Sequence, residues 1–264
     1  PVRPLALLLA LYGCSSASAG DPTIFAEDFE SGTLAAWPDG VDPARQRVAT
    51  GPLAQSGTHY LEVTYPAGGD GGWLTRFFMP GYDSVYVSYY VRFPEDWVGG
   101  TKLIGLFGAR TDDQWSASGK AGLCPQGSDF FIAMVVTEPA GDPGPTRFFT
   151  YYPTMTREPD GVTCWGRYGD GSETYVEPLT LSRGVWHHVE FMVTLNTPDK
   201  SNGSQQLWID GVRRGSWSGL AFRSSAALRL NAVQLTFNRG ISGGPAAQKL
   251  WVDNLVVARG SQPR

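Results

Sequence analysis

YVSYYVRFPEDWVGGTKLIGLFG, residues 86–108, shows the period of a β-strand through its first half. Val87, Tyr89, Val91 and Phe93, with Val85 before them, fall on one face; Tyr86, Ser88, Tyr90 and Arg92 fall on the other. The first face is the composition of a core. The second is a row of groups able to hydrogen-bond to and stack on a polar ring, although a polar outer face with some aromatics fits it equally. Pro94, Asp96, Gly99 and Gly100 break the strand. It restarts in KLIGLFG, where strict alternation puts Lys102, Ile104 and Leu106 on one face.

Outward from this stretch the pattern repeats. IFAEDFESG (24–32), HYLEVTYPAG (59–68) and WLTRFF (73–78) precede it as short strands separated by Pro, Asp and Gly. DFFIAMVVTE (129–138) and RFFTYYP (147–153) flank the turn AGDPGPT and form a hairpin. GVWHHVEFMVTLN (184–196) places Val189, Phe191 and Val193 opposite His188, Glu190, Met192 and Thr194. QLWIDGVRRGS turns at Asp210-Gly211, a strong hairpin dipeptide. LRLNAVQLTFNRG (228–240) sets Gln234, Thr236 and Asn238 against Val233, Leu235 and Phe237, and KLWVDNLVVA (249–258) is the last strand. No long segment has helical period. A dozen or so strands at this spacing predict an all-β fold, two antiparallel sheets packed face to face, one with a concave polar and aromatic face.

The chain has 264 residues, with 33 Gly and 19 Pro spread along it rather than gathered in a linker, so one β-domain over residues 21–264 is expected. A net charge of −4 gives no basic footprint and argues against a nucleic-acid partner. Residues 1–20 read as a targeting segment: Arg3 precedes the apolar run Leu5–Leu11, too short to span a bilayer. LYGC resembles a bacterial lipobox with Cys14 as the lipidated residue, while SASAG (16–20) offers ordinary cleavage. The expectation is an exported protein, an outer-membrane lipoprotein or a secreted one, touching a membrane only through a lipid at Cys14 and acting as a monomer. Cys124 and Cys164 are then an even pair, expected to be a disulfide joining two non-periodic stretches, 110–128 and 154–171. Two buried thiols are the alternative.

The order YVSYYVRFPEDW, KLIGLFG, FFTYYP, GVWHHVEFMVTLN, LWIDG and LWVDNLVVA, from about Phe25 to Ala258, resembles the polysaccharide-lyase-type β-jelly rolls of the concanavalin-like superfamily. Glucuronan lyases, alginate-lyase-like proteins and the related cellulase-associated fungal proteins are the nearest in pattern. The Arg-rich, Gln-Ile-His and Tyr-Lys-Gly-Tyr motifs of one alginate-lyase group are absent. The resemblance implies β-elimination on a uronic-acid polysaccharide. That chemistry needs donors that neutralise the C6 carboxylate, a base for the C5 proton and an acid for the leaving oxygen. On residue type and predicted face, the expected catalytic groups are His188, Tyr90, Arg92, Lys102 and Gln234, with Tyr151, Glu190, Asn238 and Arg76 as substrate contacts. His187 has the parity of a core-side residue. The resemblance also implies a structural calcium ion where the first and last strands meet, with Glu27 and Asp253 as side-chain ligands and Ser56 and His59 offering further oxygens. A non-catalytic carbohydrate-binding module or lectin would share the fold. A retaining hydrolase needs paired carboxylates on one strand face, and only Glu190 sits on such a strand.

Overall fold

The computed structural model describes residues 22–166, 174–175, 180–239 and 246–260; the expected targeting segment, with Cys14, lies outside them. The described residues hold fourteen strands: β1 (Thr23–Glu27), β2 (Gln46–Thr50), β3 (His59–Tyr65), β4 (Gly72–Tyr82), β5 (Ser84–Arg92), β6 (Thr101–Arg110), β7 (Phe131–Thr137), β8 (Thr146–Tyr151), β9 (Thr174–Tyr175), β10 (Trp186–Thr194), β11 (Gly203–Ile209), β12 (Val212–Leu220), β13 (Leu228–Phe237) and β14 (Gln248–Arg259). Among these residues there is no helix.

Eight strands form one sheet in the order β12-β11-β10-β5-β14-β3-β2, with β1 also on β14; six form the other, β4-β13-β6-β7-β8-β9. Every pairing is antiparallel. This is the expected all-β jelly-roll sandwich. The β7–β8 hairpin forms around 138–145, and Asp210 and Gly211, at φ 53° and 75°, turn β11 into β12.

The period-two reading locates the core. Val85, Val87, Tyr89 and Val91 of β5, Phe93 just after it, and Val189, Phe191 and Val193 of β10 have no exposed surface. They meet Val233, Leu235, Phe237 and Phe148 of the other sheet in one apolar cluster, with Phe148 edge-on to Phe191 at 6.0 Å. Burying such side chains is the dominant favourable term, about 1.5–3 kcal/mol each.

One expectation fails locally. The register of β6 against β7 shifts between Lys102 and Gly105. Leu103 and Ile104 are consequently both fully buried, and Lys102 comes to the outer face of the six-stranded sheet, opposite Ile104 and Leu106 rather than beside them.

Candidate active site

The outer face of the six-stranded sheet is built in transverse rows. One runs Thr75, Gln234, Gly105, Met134, Phe149. A second runs Lys102, Val136, Arg147, and the third Phe77, Ala232, Phe107, Ile132, Tyr151. Gly105 is required in its row, because a Cβ there would stand 2.5 Å from the Cβ of Met134.

Phe149 gathers three polar groups. Lys102 Nζ lies 5.1 Å from its ring centroid, the Arg147 guanidinium 5.2 Å, and the Tyr151 ring 5.3 Å. Burial pushes the Lys102 ammonium below its ordinary pKa; Asp70 opposes that shift and Arg147 adds to it. Burial also pushes the Tyr151 phenol up to about 12, so it keeps its proton at neutral pH.

Two loops roof this end of the sheet. Cys124 and Cys164 are joined by a disulfide, and Cys164 N donates to Gly122 O at 3.0 Å. Gly122 N donates to the Tyr151 hydroxyl at 3.3 Å. Arg147 donates to Gly166 O at 3.4 Å and through Nε to Glu138 at 2.5 Å. Gly166, at φ 65°, sits so near that a Cβ would come 2.7 Å from the Phe149 ring. Arg147, Phe149 and Tyr151 are therefore buried although they face away from the core.

Beyond the roof the face is open. A cleft of about 440 Å³ is lined by Trp73, Phe107, Trp115, Gln234, Thr236 and Asn238, with Asp39 and Asp70 at its rim. Trp73 and Trp115 are each 49% exposed, the character of stacking platforms. Trp73 is fixed by its indole N–H to Asp39 at 3.2 Å, and Trp115 packs edge-on against Phe77 at 4.8 Å. Gln234 donates through Nε2 to Thr75 and accepts from Thr236, at 2.9 and 2.8 Å. Its amide is thereby oriented, with a second Nε2 hydrogen left for a ligand. Asn238 donates to Asp70 at 2.7 Å.

Lys102, Gln234, Tyr151 and Asn238 thus share one face, but the remaining expected groups do not join them. Tyr90, Arg92, His188 and Glu190 stand on the outer face of the eight-stranded sheet, across the core. Alternation separates inside from outside; it does not say which sheet a strand enters. His188 there bonds Ser88 Oγ at 2.7 Å and stacks on Tyr90 at 4.5 Å, while Tyr86 donates to Glu190 at 2.5 Å. His187 accepts from Ser182 N and bonds Asp210 at 2.8 Å, a structural role. Arg76 pairs with Val233 on the inner face at the sheet edge, donating to Ala36 O with its guanidinium 5.2 Å from the Phe25 ring, so it does not line the cleft.

At the expected calcium position the four side chains make hydrogen bonds within the protein. The two oxygens of Asp253 accept from Gln55 N and Asn254 N, at 2.8 Å each, and Glu27 accepts from Phe29 N. Ser56 Oγ accepts from Asn254, and His59 bonds Glu30. Among the described residues no three His, Cys, Asp or Glu side chains come together as a metal site.

Sequence reasoning missed Arg147, Phe149, Trp73 and Trp115. Alternation within RFFTYYP would have found the first two, since Phe148 and Thr150 face the core and Arg147, Phe149 and Tyr151 face out.

Comparison with known proteins agrees with this fold. The family model for polysaccharide lyase 14 matches residues 54–244. A search of curated proteins returns no match. The alginate lyase Aly36B is similar in structure, with a TM-score of 0.63 and 18% identity over 85% of this chain and 87% of that one. A variant of it with a lysine and a tyrosine replaced by alanine is described in complex with alginate tetrasaccharide. The marine PL-14 alginate lyase from Aplysia kurodai has a TM-score of 0.66 and 16% identity over 90% and 99% of the two chains. For the endo-β-1,4-glucuronan lyase from the fungus Trichoderma reesei the values are 0.59 and 16%, over 90% and 96%. At these identities the neighbours speak to the fold, and the family match, which spans well over half of the chain, fixes the lineage: the protein belongs to polysaccharide lyase family 14.

Proposed function

We propose that this lyase cuts a uronic-acid polysaccharide by β-elimination on the outer face of the six-stranded sheet. The observation that carries the reading is Lys102, a desolvated amine held at Phe149 between the open cleft and the roofed Arg147 and Tyr151. Sugar rings stack on Trp73 and Trp115, and the free Gln234 N–H takes the C6 carboxylate, drawing charge from C5. Neutral Lys102 removes the C5 proton. The electron pair forms the C4–C5 double bond, the C4–O bond breaks, and the departing oxygen takes a proton from Tyr151, which burial keeps protonated. The alginate bound by the lysine–tyrosine variant of Aly36B supports both the substrate class and the choice of residue types.

The Cys124–Cys164 disulfide supports an exported location, where such bonds persist. Incubation of the purified protein with alginates, glucuronan and pectate, following absorbance of unsaturated ends, tests the reading. Unsaturated product from at least one polymer is expected. Binding without product from any of them would replace the lyase with a lectin.

A further inference from the structure

The groups expected in the cleft but found across the core form an arrangement of their own. Five adjacent strands, β2-β3-β14-β5-β10, align Arg47, Glu62, Trp251, Arg92 and Trp186 in one transverse row. Leu250, Val252, Val91 and Phe93 point into the core, which turns Trp251 and Arg92 outward. The indole edges are anchored: Trp251 donates to Glu62 at 3.2 Å and Trp186 to Leu53 O at 2.9 Å. Both rings are half-buried and fixed. They stand two strand spacings apart, about 10 Å.

Arg92 lies between them with its guanidinium 6.0 Å from the Trp251 ring. Its Nε is buried without a hydrogen-bond partner, and among the described residues no carboxylate pairs with it. Glu62 is doubly neutralised, by Arg47 at 2.6 Å and Lys249 at 2.9 Å. The neighbouring carboxylates Glu190 and Asp253 are buried and engaged by Tyr86 and by backbone N–H groups. In a chain of net charge −4, this row and Lys249 beside it carry three cations, Arg47, Arg92 and Lys249, against the one anion Glu62.

We propose that the outer face of the eight-stranded sheet is a second, non-catalytic binding surface for an acidic polysaccharide chain. Trp186 and Trp251 stack on sugar rings and Arg92 forks onto a uronate carboxylate between them. Arg47 and Lys249 extend the positive track to the sheet edge. The cleft lies on the opposite side of the sandwich, so a long chain held here keeps the enzyme on its substrate between cuts. The inference rests on the uronic-acid reading of the substrate.

The test uses Lys102→Ala protein, which holds oligosaccharide without consuming it. Calorimetric titration with alginate and with glucuronan hexasaccharides should show two molecules bound per chain, and one after Arg92→Ala is added. Hydrogen exchange, which needs no change in the row, should show protection at the start of β10 and at Trp251 as well as around the cleft. A single binding event that Arg92→Ala leaves intact, with protection confined to the cleft, overturns the second site and leaves the cleft standing. Absence of any binding also overturns it, and product formation by the wild type then tells whether the uronate reading falls with it.

Discussion

Lys102 Nζ sits 5.1 Å from the centroid of the Phe149 ring, on the outward face of a sheet whose next residues, Leu103 and Ile104, are both in the core. The ring favours the charged ammonium by about 0.5–2 kcal/mol, while burial disfavours it. Burial wins, since the pKa is lowered. The bulge after Lys102 thus delivers an amine whose neutral form is favoured relative to that of an exposed lysine.

A base that must be neutral gives kcat/KM that rises with pH through the Lys102 pKa, below the ordinary value of about 10.4. The same shift predicts a stability effect. Between the lowered folded pKa and the ordinary one the unfolded chain binds more protons, so stability rises with pH in that window and the cost is fully present below it. Lys102→Met should therefore lower turnover about 10²–10⁴-fold while raising Tm at pH 7. A fall in Tm at pH 7 would contradict the desolvation argument.

The disulfide closes a loop with a sequence separation of 40 and holds the roof over Phe149 and Tyr151. In the chain-entropy model it contributes about 4 kcal/mol. Cys124→Ser with Cys164→Ser should lower Tm by several degrees and also lower kcat, because Tyr151 loses its fixed cover. Melting with and without reductant, alongside initial rates, reads both effects.

Trp73 presents an indole that is 49% exposed beside Gln234 and Thr236. Trp73→Ala should raise KM about tenfold, the equivalent of about 1.4 kcal/mol, with kcat changed much less. An equal loss in kcat at unchanged KM would remove it from substrate binding.

Asp253 is fully buried, and burial raises its pKa to about 6 despite the N–H donors from Gln55 and Asn254. The folded state binds more protons between the ordinary value of about 3.9 and 6, so this residue makes stability rise as pH falls through that window. Asp253→Asn should flatten the slope. Melting with and without a chelator reads whether the expected calcium contributes there: an unchanged Tm removes it. Stoichiometric calcium by elemental analysis, with a loss of Tm on chelation, would place an ion there.

The strands and their inward faces were legible because Val85 to Phe93, Val189 to Val193 and Val233 to Phe237 alternate cleanly, and alternation is a local property. Membership of a sheet is set by long-range pairing. His188 and Tyr90 are direct register partners, which their shared chemistry hinted at, yet nothing in their own strands shows that Lys102 and Gln234 pair in the other layer. Period two puts Lys102 on the face of Ile104 and Leu106, because alternation cannot anticipate the register shift before Gly105 that turns it to the outer face. Trp115 and Cys124 reach the site from a stretch without periodicity, where only the expected disulfide gave a constraint.

The most direct test of the account sets Lys102→Ala beside His188→Ala on the uronic-acid polymer that the wild type degrades, with unsaturated ends followed by absorbance and folding checked by melting. Lys102→Ala should lose about 10²–10⁴-fold in turnover, and His188→Ala, whose imidazole bonds Ser88 and stacks on Tyr90 across the core, should go on forming product. A folded His188→Ala that is silent, beside an active Lys102→Ala, would move the chemistry to the eight-stranded sheet and contradict the account.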